Sequence, residues 1–113
     1  MKDRFSFIAL EEAKQFLESL DKKSRKKVMY NVWKTKSIND KELFKPLKGE
    51  IWEFRTLYNK KFIRIFAFWD KTDNQNTLVA ATHGIYKTTS KIPKSDLERA
   101  ERIRKEYYHS KNK

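Results

Sequence analysis

Aromatic and β-branched residues crowd two neighbouring stretches in the middle of the chain, at residues 51–55 and 62–68. Composition of this kind is typical of β-strands. The residues between them, 58–61, are polar and suit a turn centred on Asn59 and Lys60. The two stretches are therefore predicted to form an antiparallel hairpin.

Strand periodicity divides the side chains of this hairpin between two faces. One face is wholly apolar and should lie in the core: Trp52, Phe54, Ile63, Ile65 and Ala67. The other carries Glu53, together with Arg55 directly opposite Arg64. Because like charges across a strand pair destabilise it by up to about 1 kcal/mol, an anion should lie between the two arginines. Glu53 can reach Arg64 diagonally as a structural ion pair, or a ligand phosphate can fill the position.

The rest of the pattern predicts further strands at 4–8 and 77–83 and helices at 10–20, 21–34 and from 93–95 to about 107. Asp21 is the expected N-cap of the second helix. Residues 35–50 are expected to connect this helix to the hairpin as a loop with one helical turn, and the tail from His109 is expected to fray. These elements predict one α+β domain over residues 1–113, a small antiparallel twisted sheet with helices packed on one face, in the order β-α-α-β-β-β-α. The other face should be partly open.

Charge favours polyanionic partners. The 113 residues contain 27 Lys and Arg against 15 Asp and Glu, a formal charge of +12, which suits nucleic acid or an acidic protein. There is no cysteine and there are two histidines, so we expect no disulfide, metal site or cofactor. The absence of a long apolar run or signal-like start predicts a cytoplasmic protein without a membrane segment.

No catalytic triad, phosphate-binding loop or metal-ligand spacing is present. The available side chains do suit RNA cleavage by the neighbouring 2′-hydroxyl, which needs proton transfer and cations around the phosphorus. Arg55 and Arg64 are candidates to stabilise the phosphate, with Lys87, His83, Tyr86 and Glu53 as candidates for proton transfer or additional charge. Each has a structural alternative: His83 as a hydrogen-bonding residue, Tyr86 as a packing aromatic and Lys87 as a solvated cation. The candidate RNA-binding residues are Lys45, Lys48, Phe66 and Lys91, with the Phe66 ring available for base stacking unless a loop or partner covers it.

Three motifs resemble the phage-derived, HigB-like branch of the RelE/ParE toxin superfamily. They are Ile-Trp-Glu-Phe-Arg at 51–55, Arg-Ile-Phe at 64–66, and His-Gly-Ile-Tyr-Lys-Thr-Thr-Ser-Lys-Ile-Pro at 83–93, followed by a charged helix. The branch typically reads LWELR, YRIFYF and HGFxKKTxKTP, and the likeness covers about residues 47–107. Thr88 and Ile92 depart from it, and Thr88 removes one candidate phosphate ligand.

The resemblance implies a RelE-like fold and a type II toxin, a ribosome-dependent mRNA endonuclease that inhibits translation. It also implies a cognate antitoxin, expected to be a helix-turn-helix protein encoded next to this gene. Carried over by position, Arg55, Arg64, Lys87 and the His83-Gly84 pair match family motif residues. Two alternatives stay open: a gyrase-inhibiting toxin of the same fold, and a non-catalytic RNA-binding regulatory module.

Overall fold

A computed structural model of the chain describes residues 3–73, 77–87 and 91–111. Its elements follow one another as β1 (Ser6–Ala9), α1 (Glu11–Ser19), α2 (Lys22–Ser37), β2 (Phe44–Lys48), β3 (Ile51–Tyr58), β4 (Lys61–Asp70), β5 (Leu78–Lys87) and α3 (Lys94–Lys111). This confirms the α+β class, and the architecture is compatible with a small RelE-like fold. Among the described helices, none combines the length and apolar character needed to cross a membrane.

The junction between α1 and α2 is fixed by polar side chains. Asp21 accepts hydrogen bonds from the backbone N–H of Ser24 at 3.1 Å and from its hydroxyl at 2.6 Å, so Asp21 is the N-cap that the sequence predicts. Arg25 donates to the carbonyl oxygens of Leu17 at 2.9 Å and Leu20 at 3.0 Å. These bonds give carbonyls at the end of α1 a side-chain donor where the regular helical bonding stops.

The sheet has five strands in the order β1-β5-β4-β3-β2. It is mixed, because β1 pairs with β5 in parallel while the other neighbours are antiparallel. The prediction of a fully antiparallel sheet is therefore wrong for β1, which is parallel to its neighbour β5. The long path between β1 and β5, through two helices and three strands, allows the parallel pairing that a short connection forbids.

Residues 35–50 hold a strand that the sequence pattern did not predict. Phe44 to Lys48 form β2, which pairs antiparallel with β3 and has an irregular register between Pro46 and Lys48. Proline is tolerated here because β2 is an edge strand, where one side of the backbone needs no partner. The predicted loop is shorter than expected and the sheet is one strand wider.

The predicted hairpin is confirmed in its register. Asn59 and Lys60 both have positive φ, of 52° and 64°, as a tight two-residue hairpin turn requires. Arg55 pairs with Arg64 across β3 and β4. The two arginines therefore share one face of the sheet, as predicted.

Both faces of the sheet are covered by helices, whereas the sequence predicted helices on one face. Helices α1 and α2 contribute Ala13, Leu17 and Val28 to a core that contains the predicted apolar face of the hairpin. On the opposite face, Ala100 of α3 packs with Ile51 and Phe66. The aromatic residues of the arginine face needed an apolar cover, and α3 supplies it.

Helix α3 extends further than expected. It runs to Lys111, whose Nζ lies 2.6 Å from Asp70 Oδ2, and Tyr107 donates its hydroxyl to the same oxygen at 2.6 Å. The prediction that the chain frays from His109 is therefore wrong up to Lys111. A buried carboxylate at the end of β4 holds the last turns of the helix.

Candidate functional site

Glu53 lies at the centre of a cluster of cations on the arginine face. Its two carboxylate oxygens are each 2.7 Å from Nη1 of Arg64. Oε1 is also 3.5 Å from Nε of Arg55 and 4.0 Å from Nζ of Lys45. The diagonal ion pair predicted between Glu53 and Arg64 is confirmed. One carboxylate among three cations leaves this group, the Glu53 cluster, with a formal excess of two positive charges.

Exposure divides the three cations of the Glu53 cluster. The side chains of Arg64, Arg55 and Lys45 are 2%, 29% and 40% exposed, and Glu53 is 0% exposed. Arg64 also lies with its guanidinium carbon 5.7 Å from the centre of the Phe62 ring. The expectation that both arginines face a substrate is corrected: a phosphate can reach Arg55 and Lys45, while Arg64 lies beneath the surface.

Arg55 also lines a cleft of about 430 Å³ between the β3–β4 hairpin and α2. The α2 wall includes Lys27, Tyr30 and Lys34, and the hairpin wall includes Leu57 and Phe62 beside Arg55. Asp40 and Glu42 line it as well. We missed this cleft in the sequence because its walls come from elements whose contact depends on tertiary packing. The one sequence signal was the run of lysines and aromatics in α2.

His83 is placed in the interior rather than in an open site. It is 1% exposed, its Nε2 lies 3.3 Å from Asp96 Oδ1, and its Nδ1 lies 3.1 Å from the Thr82 hydroxyl. Burial, together with the positive charge of Arg99, lowers the pKa of His83, against the opposing effect of Asp96. The ring therefore makes the structural hydrogen bonds that were its alternative in the sequence.

Phe66 stacks on His83, with ring centres 4.7 Å apart, and is 0% exposed. No face of its ring is open to a base in this structure. The prediction that Phe66 contacts RNA is therefore corrected. Its burial under α3 could not be read from strand periodicity, which places a side chain on a face without saying what covers that face.

Tyr86 lies on the opposite face of the sheet from the Glu53 cluster. Its ring centre is 5.5 Å from that of Phe16 in α1, and Nζ of Lys61 is 5.4 Å from the Tyr86 ring. Its backbone pairs with Ile63, a residue of the α1–α2 core. The structure does not bring Tyr86 together with Arg55.

The remaining predicted residues lie along the edge of the arginine face and in the loop before α3. Lys48 is exposed at the end of β2 and lines a groove with Lys94, separate from the cleft. Lys91 is exposed before α3. The backbone of Lys87 pairs with Phe62 at the end of β5. Thr88, which departs from the family motif, and residues 89–90 lie outside the described residues.

Within the described ranges, no three or more His, Cys, Asp and Glu side chains are grouped so that they could hold a metal ion. The arrangement offers charge stabilisation through Arg55 and Lys45 with Arg64 behind them. Two of the predicted proton-transfer groups are not brought to this cluster, since His83 is buried and Tyr86 is on the other face. The site therefore suits an anionic ligand or transition state.

A family model described as "Phage derived protein Gp49-like (DUF891)" matches residues 15–105. The match includes the Glu53 cluster and both walls of the cleft. A search of curated proteins found no match. Because the family model covers most of the chain, the protein belongs to the Gp49-like family, which is associated with RelE-like toxins.

Proposed function

We propose that this Gp49-like protein is the toxin of a type II toxin–antitoxin system. It is a HigB-like endoribonuclease that cuts mRNA on the translating ribosome and so inhibits translation. The observation that carries this proposal is the Glu53 cluster: a buried carboxylate holds Arg64, and the neighbouring Arg55, whose side chain is partly exposed, borders an open cleft. The motif likeness and the charge of +12 support it.

The reaction is attack by a ribose 2′-oxygen on the neighbouring phosphorus, with rupture of the bond from phosphorus to the 5′-oxygen. The 2′-hydroxyl proton is lost, the leaving 5′-oxygen gains a proton, and the products are a 2′,3′-cyclic phosphate and a 5′-hydroxyl. No metal or cofactor takes part. Negative charge grows on the phosphorane, and pre-positioned cations stabilise it more than they stabilise the substrate.

Within this reaction, Arg55 binds the scissile phosphate and Lys45 adds charge from the rim. Arginine suits the first task because its planar fork can donate two hydrogen bonds to a phosphate. Arg64 raises the positive potential from below, and Glu53 holds the guanidinium of Arg64. Glu53 is therefore a positioning residue.

The proposed partners follow from charge and from the toxin class. An acidic antitoxin, encoded beside this gene as a helix-turn-helix protein, would bind the basic toxin and hold it inactive. The ribosome would present mRNA to the cleft. The adjacent open reading frame offers the simplest observation on the antitoxin.

Induced expression with mapping of mRNA ends tests the nuclease. Arg55→Ala should lower cleavage by about 100- to 1,000-fold, the usual loss when one preorganised donor to a transition state is removed. Arg102→Ala is the matched control, because Arg102 is an α3 arginine whose side chain is 55% exposed. We prefer Arg55 to Arg64 for this test because loss of Arg64 would leave buried Glu53 without its nearest cation.

Wild-type protein and the Arg102 variant should arrest growth and create new mRNA ends that carry cyclic phosphate or its hydrolysis product. A folded wild-type protein that creates no new ends on translating ribosomes would refute the proposal. Intact RNA with DNA damage on induction would identify the gyrase-inhibiting alternative instead.

A further inference from the structure

Positive charge is concentrated on α2. This helix contains six lysines and one arginine and no acidic residue in 16 positions, whereas the whole chain has an excess of twelve. Its first turn is cationic, which opposes the partial positive charge at a helix N-terminus. A polyanion bound at α2 would relieve this repulsion.

The α2 lysines are also unneutralised, in contrast to the arginines of α3. In the described ranges, no carboxylate oxygen lies within 4.0 Å of an α2 lysine. In α3, Arg99 pairs with Glu12, Arg102 with Glu106, and Arg104 with Glu101. The six lysines of α2 are therefore available to a polyanionic ligand.

Two aromatic rings stand among these lysines. Tyr30 and Trp33 are 52% and 61% exposed, with ring centres 6.0 Å apart. Nζ of Lys27 lies 5.5 Å from the centre of the Tyr30 ring. Cations that follow a phosphate backbone, beside aromatic rings on which bases stack, are the combination that binds single-stranded nucleic acid.

We propose that the outer face of α2 binds single-stranded RNA and leads it to Arg55. Tyr30 and Lys27 belong both to this face and to the cleft whose far wall includes Arg55. A strand stacked on Trp33 and Tyr30 thus reaches the cleft that Arg55 lines. This inference rests on the proposed function for the identity of the strand, which is the substrate of the nuclease.

Two acidic residues of the cleft, Asp40 and Glu42, oppose the binding of an RNA strand there. Asp40 accepts the backbone N–H of Glu42 through Oδ1 at 2.9 Å, so one of its oxygens is engaged locally. Glu42 is exposed and repels a passing phosphate. Glu42→Gln should therefore strengthen RNA binding.

The charge test uses a short unstructured 2′-O-methyl RNA, which lacks the 2′-hydroxyl nucleophile and so separates binding from cleavage. Anisotropy is measured over a range of salt concentrations. Lys27→Gln/Lys34→Gln should weaken binding at least tenfold at low salt and reduce the salt slope by about 1.4, or about 0.7 for each phosphate that the variant no longer neutralises. The matched control, Lys94→Gln/Lys105→Gln, makes the same change in net charge on α3. It should leave the affinity at low salt and the salt slope nearly unchanged.

The stacking test uses Trp33→Ala, with Ile8→Ala as a control at an aliphatic residue that is also exposed. Loss of one stacked base should weaken single-strand binding by about 5- to 150-fold. Duplex RNA, whose bases are already stacked on one another, should not distinguish the Trp33 variant from wild type. Because Trp33 is exposed, its removal should leave folding intact, and thermal melting checks this.

Equal losses in the α2 and α3 lysine variants would overturn the inference, because binding would then follow net charge alone. The inference would also be overturned if the α2 lysine variant bound RNA as wild type does but no longer bound poly-glutamate. That result would instead indicate an acidic protein as the ligand of α2. Binding of RNA through α2 without any cleavage by wild-type protein would refute the nuclease and leave the α2 surface standing. Cleavage by wild-type protein, together with RNA binding that the α2 substitutions do not change, would support the nuclease and refute the α2 surface.

Discussion

Replacement of Glu53 by glutamine should destabilise the fold more than any change at the exposed cations around it. The side chain is 0% exposed and both oxygens are 2.7 Å from Nη1 of Arg64, itself 2% exposed. Removal of one charge from a buried pair costs about 3–5 kcal/mol, because the other charge stays buried. A domain of this size has a free energy of unfolding of about 5–15 kcal/mol. The variant should therefore melt about 12–20 °C below wild type.

Lys45→Gln provides the control, since Lys45 Nζ is 4.0 Å from the same carboxylate and its side chain is 40% exposed. Its loss should cost less than about 1 kcal/mol. Joint replacement, Glu53→Leu with Arg64→Met, should recover most of the stability because no buried charge remains. Urea unfolding of the four proteins measures these free energies. A cost below about 1 kcal/mol for Glu53→Gln would refute the view that Glu53 and Arg64 form a buried, tightly coupled pair.

Two further changes test the packing of the sheet. Gly84→Ala should lower the free energy of unfolding by about 1–3 kcal/mol, because an added Cβ would lie 2.8 Å from Ile65 Cδ1 and against the Phe16 ring. Thermal melting of the variant measures this loss. An unchanged melting temperature would contradict the close approach. Burial raises the pKa of Asp70, but hydrogen bonds from Lys111 and others outweigh it and hold this pKa below its usual range. The stabilisation is therefore present above the unfolded pKa of about 3.9 and is lost as the pH falls below it. Asp70→Asn should lower the free energy of unfolding by about 1–3 kcal/mol at pH 7 and by less at pH 3, both measured by urea unfolding. An equal loss at the two pH values would contradict this stabilisation by the charged carboxylate.

Local chemistry predicted the parts of the fold that depend on neighbouring residues. Asp21 ends up as an N-cap because its side chain needs only the N–H of Ser24, three residues on. The hairpin register follows from a two-residue turn at Asn59 and Lys60. Both are decided within a few residues, which is the range over which sequence patterns are informative.

The wrong and missing structural predictions concern features that depend on contacts between distant segments. A proline and a polar composition concealed β2, although Pro46 is acceptable once β2 lies at an edge. The apolar stripe of α3 showed that the helix buries one side, but not which face of the sheet it covers. Because Ala100 of α3 packs against Phe66, Phe66 is buried on this face. The same limit concealed the cleft between Arg55 and α2.

The separation of the predicted proton-transfer groups has a consequence for the proposed reaction. His83 is held between Asp96 and Thr82 in the interior, and Tyr86 packs against Phe16 on the other face. If cleavage occurs at Arg55, charge stabilisation rather than either side chain should carry the rate. We therefore expect His83→Gln to leave the pH profile of cleavage unchanged in shape, measured with purified ribosomes and corrected for the fraction folded. A limb of the profile that disappears in this variant would show that His83 exchanges protons with the substrate.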